Sequence, residues 1–191
     1  MNRAPRKIEG FAIEFDEERI WRHIGYKKKS KEIKESLKKI IDSEKKRLGY
    51  LLEAKAIYRI LPYEKTDKHP IFQNAEKVGL CVCTIGPKLE QESAKLMREN
   101  EILRALILDA LGSEAVEEVA NQANIIVAEE GKRMNLRPSK RFSPGFGEWN
   151  IKEQSFIFQV LPADQIGVMI NEAFMMIPRK SISFRINFFK K

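Results

Sequence analysis

Ser181-Ile182-Ser183-Phe184-Arg185-Ile186-Asn187-Phe188 is the stretch on which the reading of the fold turns. Ile182, Phe184, Ile186 and Phe188 fall on one side of a period-two pattern, and Ser181, Ser183, Arg185 and Asn187 on the other. That alternation predicts a β-strand. Two further strands follow from residues 54–61 (A-K-A-I-Y-R-I-L) and from the continuous apolar run Val78 to Ile85, which suits a strand covered on both faces. A fourth, short strand is expected over residues 11–15, where Phe11, Ile13 and Phe15 alternate with Ala12 and Glu14. Helical patterns separate these strands irregularly, which points to an α+β fold with a mainly antiparallel, twisted sheet flanked by several helices.

The helices are marked by period and punctuation. Asp16 can cap a helix running to about His23, with Gly25 beyond its end. Ser30 can cap the next, which places Ile33, Leu37, Ile40, Ile41 and Leu48 at helical spacing. Pro62 to Asn74 reads as a loop, and Gly86-Pro87 opens a helix through about Arg98. Residues 100–133 carry the longest helical pattern, with a bend or restart expected at Gly112-Ser113 and Ser113 as the new cap. Residues 151–160 are also expected to be helical.

The 191 residues fit one domain spanning 1–191, and 43% hydrophobic residues suffice for a core. A charge of +8 and a pI near 9.4 favour acidic partners. Lys27 to Arg47 is the most basic block, with ten lysines and arginines against four acids. It reads either as the solvated face of a helix or as an electrostatic docking surface. The opening MNRAPRKIEG is not followed by an apolar run, and no stretch approaches the ~20 apolar residues of a membrane span, so a cytoplasmic location is expected.

Several chemistries lack their residues. There is no phosphate loop, no G-x-G-x-x-G and no G-x-S-x-G. His23 and His69 have no cysteine or histidine at ligand spacing, so no metal site is expected. Cys81 and Cys83 would share one face of a strand, roughly 6.5–7 Å apart, too far for a relaxed disulfide. They read as buried thiols.

The most distinctive short segment is Arg141-Phe142-Ser143-Pro144-Gly145-Phe146-Gly147. Pro144 presets φ for a tight turn and Gly145 can take the positive φ that a type II turn requires next. Phe142, Phe146 and Trp149 put three rings beside Arg141 and Glu148, which suggests a small-ligand site with Trp149 as supporting core.

Arg141-Phe142-Ser143-Pro144-Gly145-Phe146 resembles the R-x-x-P-G-Y motif of the activation domain of cobalamin-dependent methionine synthase. Downstream, Ile166-Gly167-Val168-Met169-Ile170-Asn171-Glu172-Ala173-Phe174 is similar to that domain's I-G-x-x-L-T-E-S-F. Met176-x-Pro178-x-x-Ser181-Ile182-Ser183 resembles its M-x-P-x-x-S-V-S. Leu106 to Ala123 resembles the family's long helix, with Glu117 where that helix carries a ligand-contacting glutamate. The resemblance is clearest over residues 100–185.

The resemblance implies binding of S-adenosylmethionine by Arg141, Ser143, Pro144, Gly145, Phe146 and Glu117, with no nucleophile or general base from the protein. It implies a reactivation role, in which inactive cob(II)alamin is reduced by one electron and remethylated from S-adenosylmethionine. The cobalamin would be carried by a methionine synthase module or another corrinoid protein acting as a separate partner. The electron would come from a low-potential donor such as a flavodoxin or ferredoxin. Glu172, Met176, Arg179 and Lys180 are candidates to face the cobalamin or the partner.

Bland readings stand beside these. Arg141 also suits a surface ion pair, Glu117 a capping or surface role and Glu172 a structural carboxylate. Met169, Met175 and Met176 suit a core, and Arg179-Lys180 a solvated turn. Phe146 stands where the family has tyrosine, Asn171 replaces a threonine and Ala173 a serine. The family's N-terminal aspartate contact has Asp16 as its nearest candidate, but the surrounding residues do not match. Two alternative functions remain: a non-catalytic S-adenosylmethionine-sensing or corrinoid-docking module, and a basic nucleic-acid binder, which no recognised motif supports.

Overall fold

The computed structural model of the chain describes residues 4–25, 31–63 and 75–191, with side chains described outside residues 31–33. In order the elements are β1 (Arg6–Ile8), α1 (Glu17–His23), α2 (Lys31–Leu51), β2 (Lys55–Pro62), β3 (Lys77–Thr84), α3 (Lys88–Arg98) and α4 (Ile102–Arg133). They continue with β4 (Leu136–Phe142), α5 (Gln154–Val160), β5 (Met169–Ile170), β6 (Met176–Ile177) and β7 (Ser181–Lys190). Five strands form one sheet in the order β1-β2-β3-β7-β4, every neighbouring pair antiparallel. β5 and β6 pair as a separate hairpin. This is the α+β architecture with an antiparallel sheet expected from the sequence.

The sheet is covered on both faces. Ala56, Tyr58, Ile60, Cys81, Cys83, Phe184, Ile186 and Phe188 face a helical layer, meeting Leu111, Ala115, Val119, Ala123 and Val127 of α4. The alternate residues Ile57, Leu80 and Val82 face a second core with Trp149, Ile157, Leu161, Ile166 and Val168. The polar side of β7 is therefore buried too. Ser183 donates to Gln154 Oε1 (2.9 Å), and Arg185, 2% exposed, donates to Asn187 Oδ1 (2.8 Å) and lies 5.5 Å from the Tyr63 ring. Pairing these polar groups offsets the cost of taking them out of water.

Buried carboxylates tie the helical layer together. Glu44 of α2 accepts from Arg47 Nη1 (2.6 Å) and Arg104 Nε (2.7 Å), and Arg47 also reaches Glu92 of α3. Glu114 of α4 meets His23 Nε2 at 2.8 Å and Arg19 Nε at 3.3 Å. Within the basic block, Lys38 and Lys45 lie 4.0 and 3.7 Å from Glu17. Lys27 to Lys29, Ser30 as a cap and most of the Pro62 to Asn74 loop lie outside the described residues; Pro62 itself ends β2.

Two expectations are corrected. Residues 11–15 form no strand; the edge strand is β1, Arg6–Ile8, paired with β2. Phe11, Ile13 and Phe15 still turn inward against the helical core, so their alternation records burial without a ladder. The Ala12 carbonyl accepts from the Gln122 side chain instead of from a neighbouring strand. The second correction is the bend at Gly112-Ser113, since α4 runs unbroken through it. Gly112 faces α3, where a Cβ would lie 2.5 Å from Leu89 Cδ2, and Ser113 is no cap, donating instead to the Asp109 carbonyl (3.2 Å).

Cys81 and Cys83 are free and fully buried, as read from their pattern. Burial pushes the Cys81 thiol up, and pushes Cys83 up to about 12, with Arg141 pulling each the other way. A thiol raised in the folded state contributes stability below its unfolded value and loses it as pH climbs through the folded one. The native protein at pH 8 is expected to react with an aromatic disulfide reagent only at the rate of unfolding, and its stability to fall above about pH 9. Rapid stoichiometric labelling of the native protein would contradict this.

Candidate functional site

β4 delivers the motif arginine. Its residues Leu136, Arg137 and Pro138 pair with Lys190, Phe189 and Phe188, and Arg141 and Phe142 pair with Ile186 and Arg185 after a register shift. Pro138 has no N–H to give a ladder, which confines such a strand to an edge or a bulge. Within the bulge, Ser139 Oγ accepts from the Asn187 N–H (3.0 Å). Sequence patterning missed β4, because the proline and the bulge erase its alternation.

From β4 the Arg141 guanidinium reaches back over β7, with its carbon 5.8 Å from the Phe184 ring centre. Its Nη2 donates to Glu117 Oε2 on α4. Two residues 24 positions apart, each expected at the ligand, are thus brought together. Glu117 lies in the middle of α4 and caps nothing. Arg141 Nη1 is buried and has no hydrogen-bond partner among the described residues. An unsatisfied buried donor costs about 1–3 kcal/mol, which an acceptor reaching this nitrogen would relieve.

The turn that follows is of the expected type. Gly145 has φ of 88° and the Phe146 N–H donates to the Ser143 carbonyl (3.3 Å), closing a turn with Pro144 and Gly145 in its centre. The Gly145 N–H also donates to the Trp149 carbonyl (2.7 Å). Pro144 and Trp149 are buried, so Trp149 is support, as expected. Phe146 is 76% exposed, the most exposed of the large apolar residues described.

The remaining candidates are placed apart from this pair. Glu172 is exposed in the loop of the β5–β6 hairpin, whose Asn171 Oδ1 accepts from the Ala173 and Met175 N–H groups. Met176 packs against the second core, while Met169 and Met175 are exposed. The Arg179 N–H donates to Glu90 Oε2 of α3 (2.9 Å). Lys180 Nζ sits 2.9 Å from Asp109 Oδ1 and 2.8 Å from Ser113 Oγ, both on α4. Asp109 was not singled out from the sequence and Ser113 was read only as a helix cap, although with Glu117 they stand at i, i+4 and i+8 of one helix.

The fold is that of a methionine synthase reactivation domain. The chain is similar to a crystal structure of the MetH reactivation domain bound to AdoHcy, with a TM-score of 0.69 and 15% sequence identity over 96% of this chain and 78% of that one. No protein-family model matches the chain. No curated protein matches it. Among the described residues no helix is long and apolar enough to cross a membrane.

Proposed function

We propose that this protein binds S-adenosylmethionine at Arg141, Glu117 and the Ser143–Phe146 turn, and presents it to a cobalamin-carrying module outside these 191 residues. The observation that carries the reading is the Arg141–Glu117 pair with its unpartnered buried Nη1, standing at the arginine of the motif. The AdoHcy bound to the structural neighbour is the demethylated form of this ligand, which supports the same reading.

The residues suit the ligand's charges. Arg141 Nη1 pairs with the amino-acid carboxylate, a charge-assisted hydrogen bond. Glu117, freed from its single guanidinium contact, meets the ammonium. The Phe146 ring offers a π face to the sulfonium, and its exposure lets that end of the ligand face a second protein. Gly145 is exposed and its N–H is already given to Trp149, so its carbonyl is the backbone group offered for a polar contact. S-adenosylmethionine supplies an electrophilic methyl group whose leaving group is a neutral thioether, so no protein base is required. The protein's contribution is orientation. A low-potential donor such as a flavodoxin or ferredoxin supplies the electron for reactivation, in the cytoplasm.

Isothermal titration with S-adenosylmethionine is expected to release or absorb heat with one-site stoichiometry, and saturating ligand to raise Tm by linkage. Neither heat nor a thermal shift at millimolar ligand would end this reading. Transfer of a labelled methyl group to a reduced cobalamin protein separates a reactivation component from a sensing module.

A further inference from the structure

We propose that Asp109, Ser113 and Lys180 form a subsite for a ribose diol, so that the nucleoside end of S-adenosylmethionine lies along α4; this rests on the assignment of Arg141 and Glu117 above. Asp109, Ser113 and Glu117 stand on one stripe of α4. Eight residues at 1.5 Å each give the stripe a length of about 12 Å, the scale of an extended nucleoside amino acid. The stripe runs beside the one stretch of β7 that β4 does not cover. Pairing of β4 with β7 ends at Phe142 and Arg185, so Ser181 to Phe184 have no β4 partner. Arg141, reaching back to Phe184, stands at one end of this stretch, and Lys180 precedes its other end.

The cluster has hydrogen-bonding capacity in excess of its internal needs. Lys180 is 12% exposed and spends two donors, on Asp109 Oδ1 and Ser113 Oγ. Ser113 in turn donates to the Asp109 carbonyl. An ammonium carries three donors and a carboxylate about four acceptor sites, so Lys180 keeps one N–H and Asp109 keeps its Oδ2. The Asp109 side chain is 43% exposed, which leaves that oxygen accessible. A cis-diol presents two hydroxyls, each a donor and an acceptor. Asp109 Oδ2 accepts hydrogen bonds from the hydroxyls and the third Lys180 N–H donates to a hydroxyl oxygen, a pairing of the kind by which a carboxylate holds a ribose. An ion pair that served only to fasten β7 to α4 would have no preference for a hydroxylated ligand.

The experiment compares S-adenosylhomocysteine with its 2′,3′-dideoxy analogue by titration into the full chain. The natural protein is expected to bind the dideoxy analogue about tenfold or more weakly, since a site built to bond a hydroxyl rejects the analogue lacking it. Asp109→Asn is expected to bind S-adenosylhomocysteine about tenfold more weakly while keeping the natural protein's affinity for the dideoxy analogue. Equal loss for both ligands, or no loss for either, reduces the cluster to a structural tie and overturns the subsite. Equal affinity of the natural protein for both ligands overturns the subsite and leaves the proposed function standing. No binding of either ligand overturns both.

Discussion

Replacing Arg141 with alanine is expected to weaken S-adenosylmethionine binding by more than tenfold. Nη2 of this arginine holds Glu117, and Nη1 is buried without a partner. The protein carries the cost of that unsatisfied nitrogen until an acceptor arrives, so a ligand carboxylate gains both a charge-assisted bond and the relief of the orphan. Hydrogen bonds to charged groups contribute about 1.5–3 kcal/mol, which at 1.4 kcal/mol per decade is roughly ten- to a hundredfold in affinity. Alanine also leaves Glu117 without its cation, and its remaining charge then acts on the ligand ammonium alone. Arg141→Lys keeps the charge and loses the planar fork, so its affinity should fall between the two. The measurement is the dissociation constant by titration, with Tm recorded for each variant. An unchanged constant in a folded Arg141→Ala protein removes this residue from the site.

What the sequence disclosed about this fold follows from how each segment is covered. β7, β3 and β2 were legible because their side chains keep a period or a continuous apolar run while pairing in an unbroken register. α1 was legible down to its cap, where Asp16 Oδ1 accepts from the Glu18 and Arg19 N–H groups. β4 was not, because Pro138 and the bulge interrupt its period, and the tertiary neighbour that makes it a strand is 50 residues downstream at Phe188. Residues 11–15 misled for the opposite reason. They alternate as a strand does, but the sheet edge is already occupied by Arg6–Ile8, leaving them to cover the core without a ladder. At Gly112 a helix breaker by propensity serves close packing against Leu89, a tertiary requirement no local window contains.

The candidate site divides the same way. The turn was readable from Pro144-Gly145 alone, because its chemistry is local. The pairing of Arg141 with Glu117 was not, since it depends on how α4 lies against the sheet. The motif resemblance named both residues without saying that they touch. Lys180 was read as a turn residue, either solvated or facing the cobalamin or partner, and is fastened to α4 by Asp109 and Ser113, a contact across 67 residues between Lys180 and Ser113.

Gly131→Ala is expected to destabilise the protein by about 2 kcal/mol or more, although it places the best helix former inside a helix. Propensity alone favours alanine by about 1 kcal/mol. A Cβ at Gly131, however, would lie 2.8 Å from Phe188 Cζ and closer still to Cε1 and Cδ1. Phe188 is fully buried on β7 and cannot swing away. Its opposite edge already lies against Gly79 of β3, where a Cβ would stand 3.0 Å from Phe188 Cε2 and 2.9 Å from Val127 Cγ1. The ring is thus held between two glycines, one on the sheet and one on α4, and relief requires moving a helix or a central strand. Overpacking of this kind costs about 1–3 kcal/mol and sometimes more, which outweighs propensity. For a chain of this length each kcal/mol shifts Tm by roughly 2–4 °C, so a fall of about 4–8 °C is expected by calorimetry. Gly49→Ala supplies the control. That glycine lies on α2 with nothing near its missing Cβ, so the same substitution should raise Tm slightly. Adding Phe188→Leu to Gly131→Ala shortens the ring side chain where the methyl enters, and the pair should be less destabilising than the sum of the two single changes. A Gly131→Ala protein as stable as the natural one would mean that α4 yields to the ring, and that its packing on β7 is not what holds Glu117 opposite Arg141.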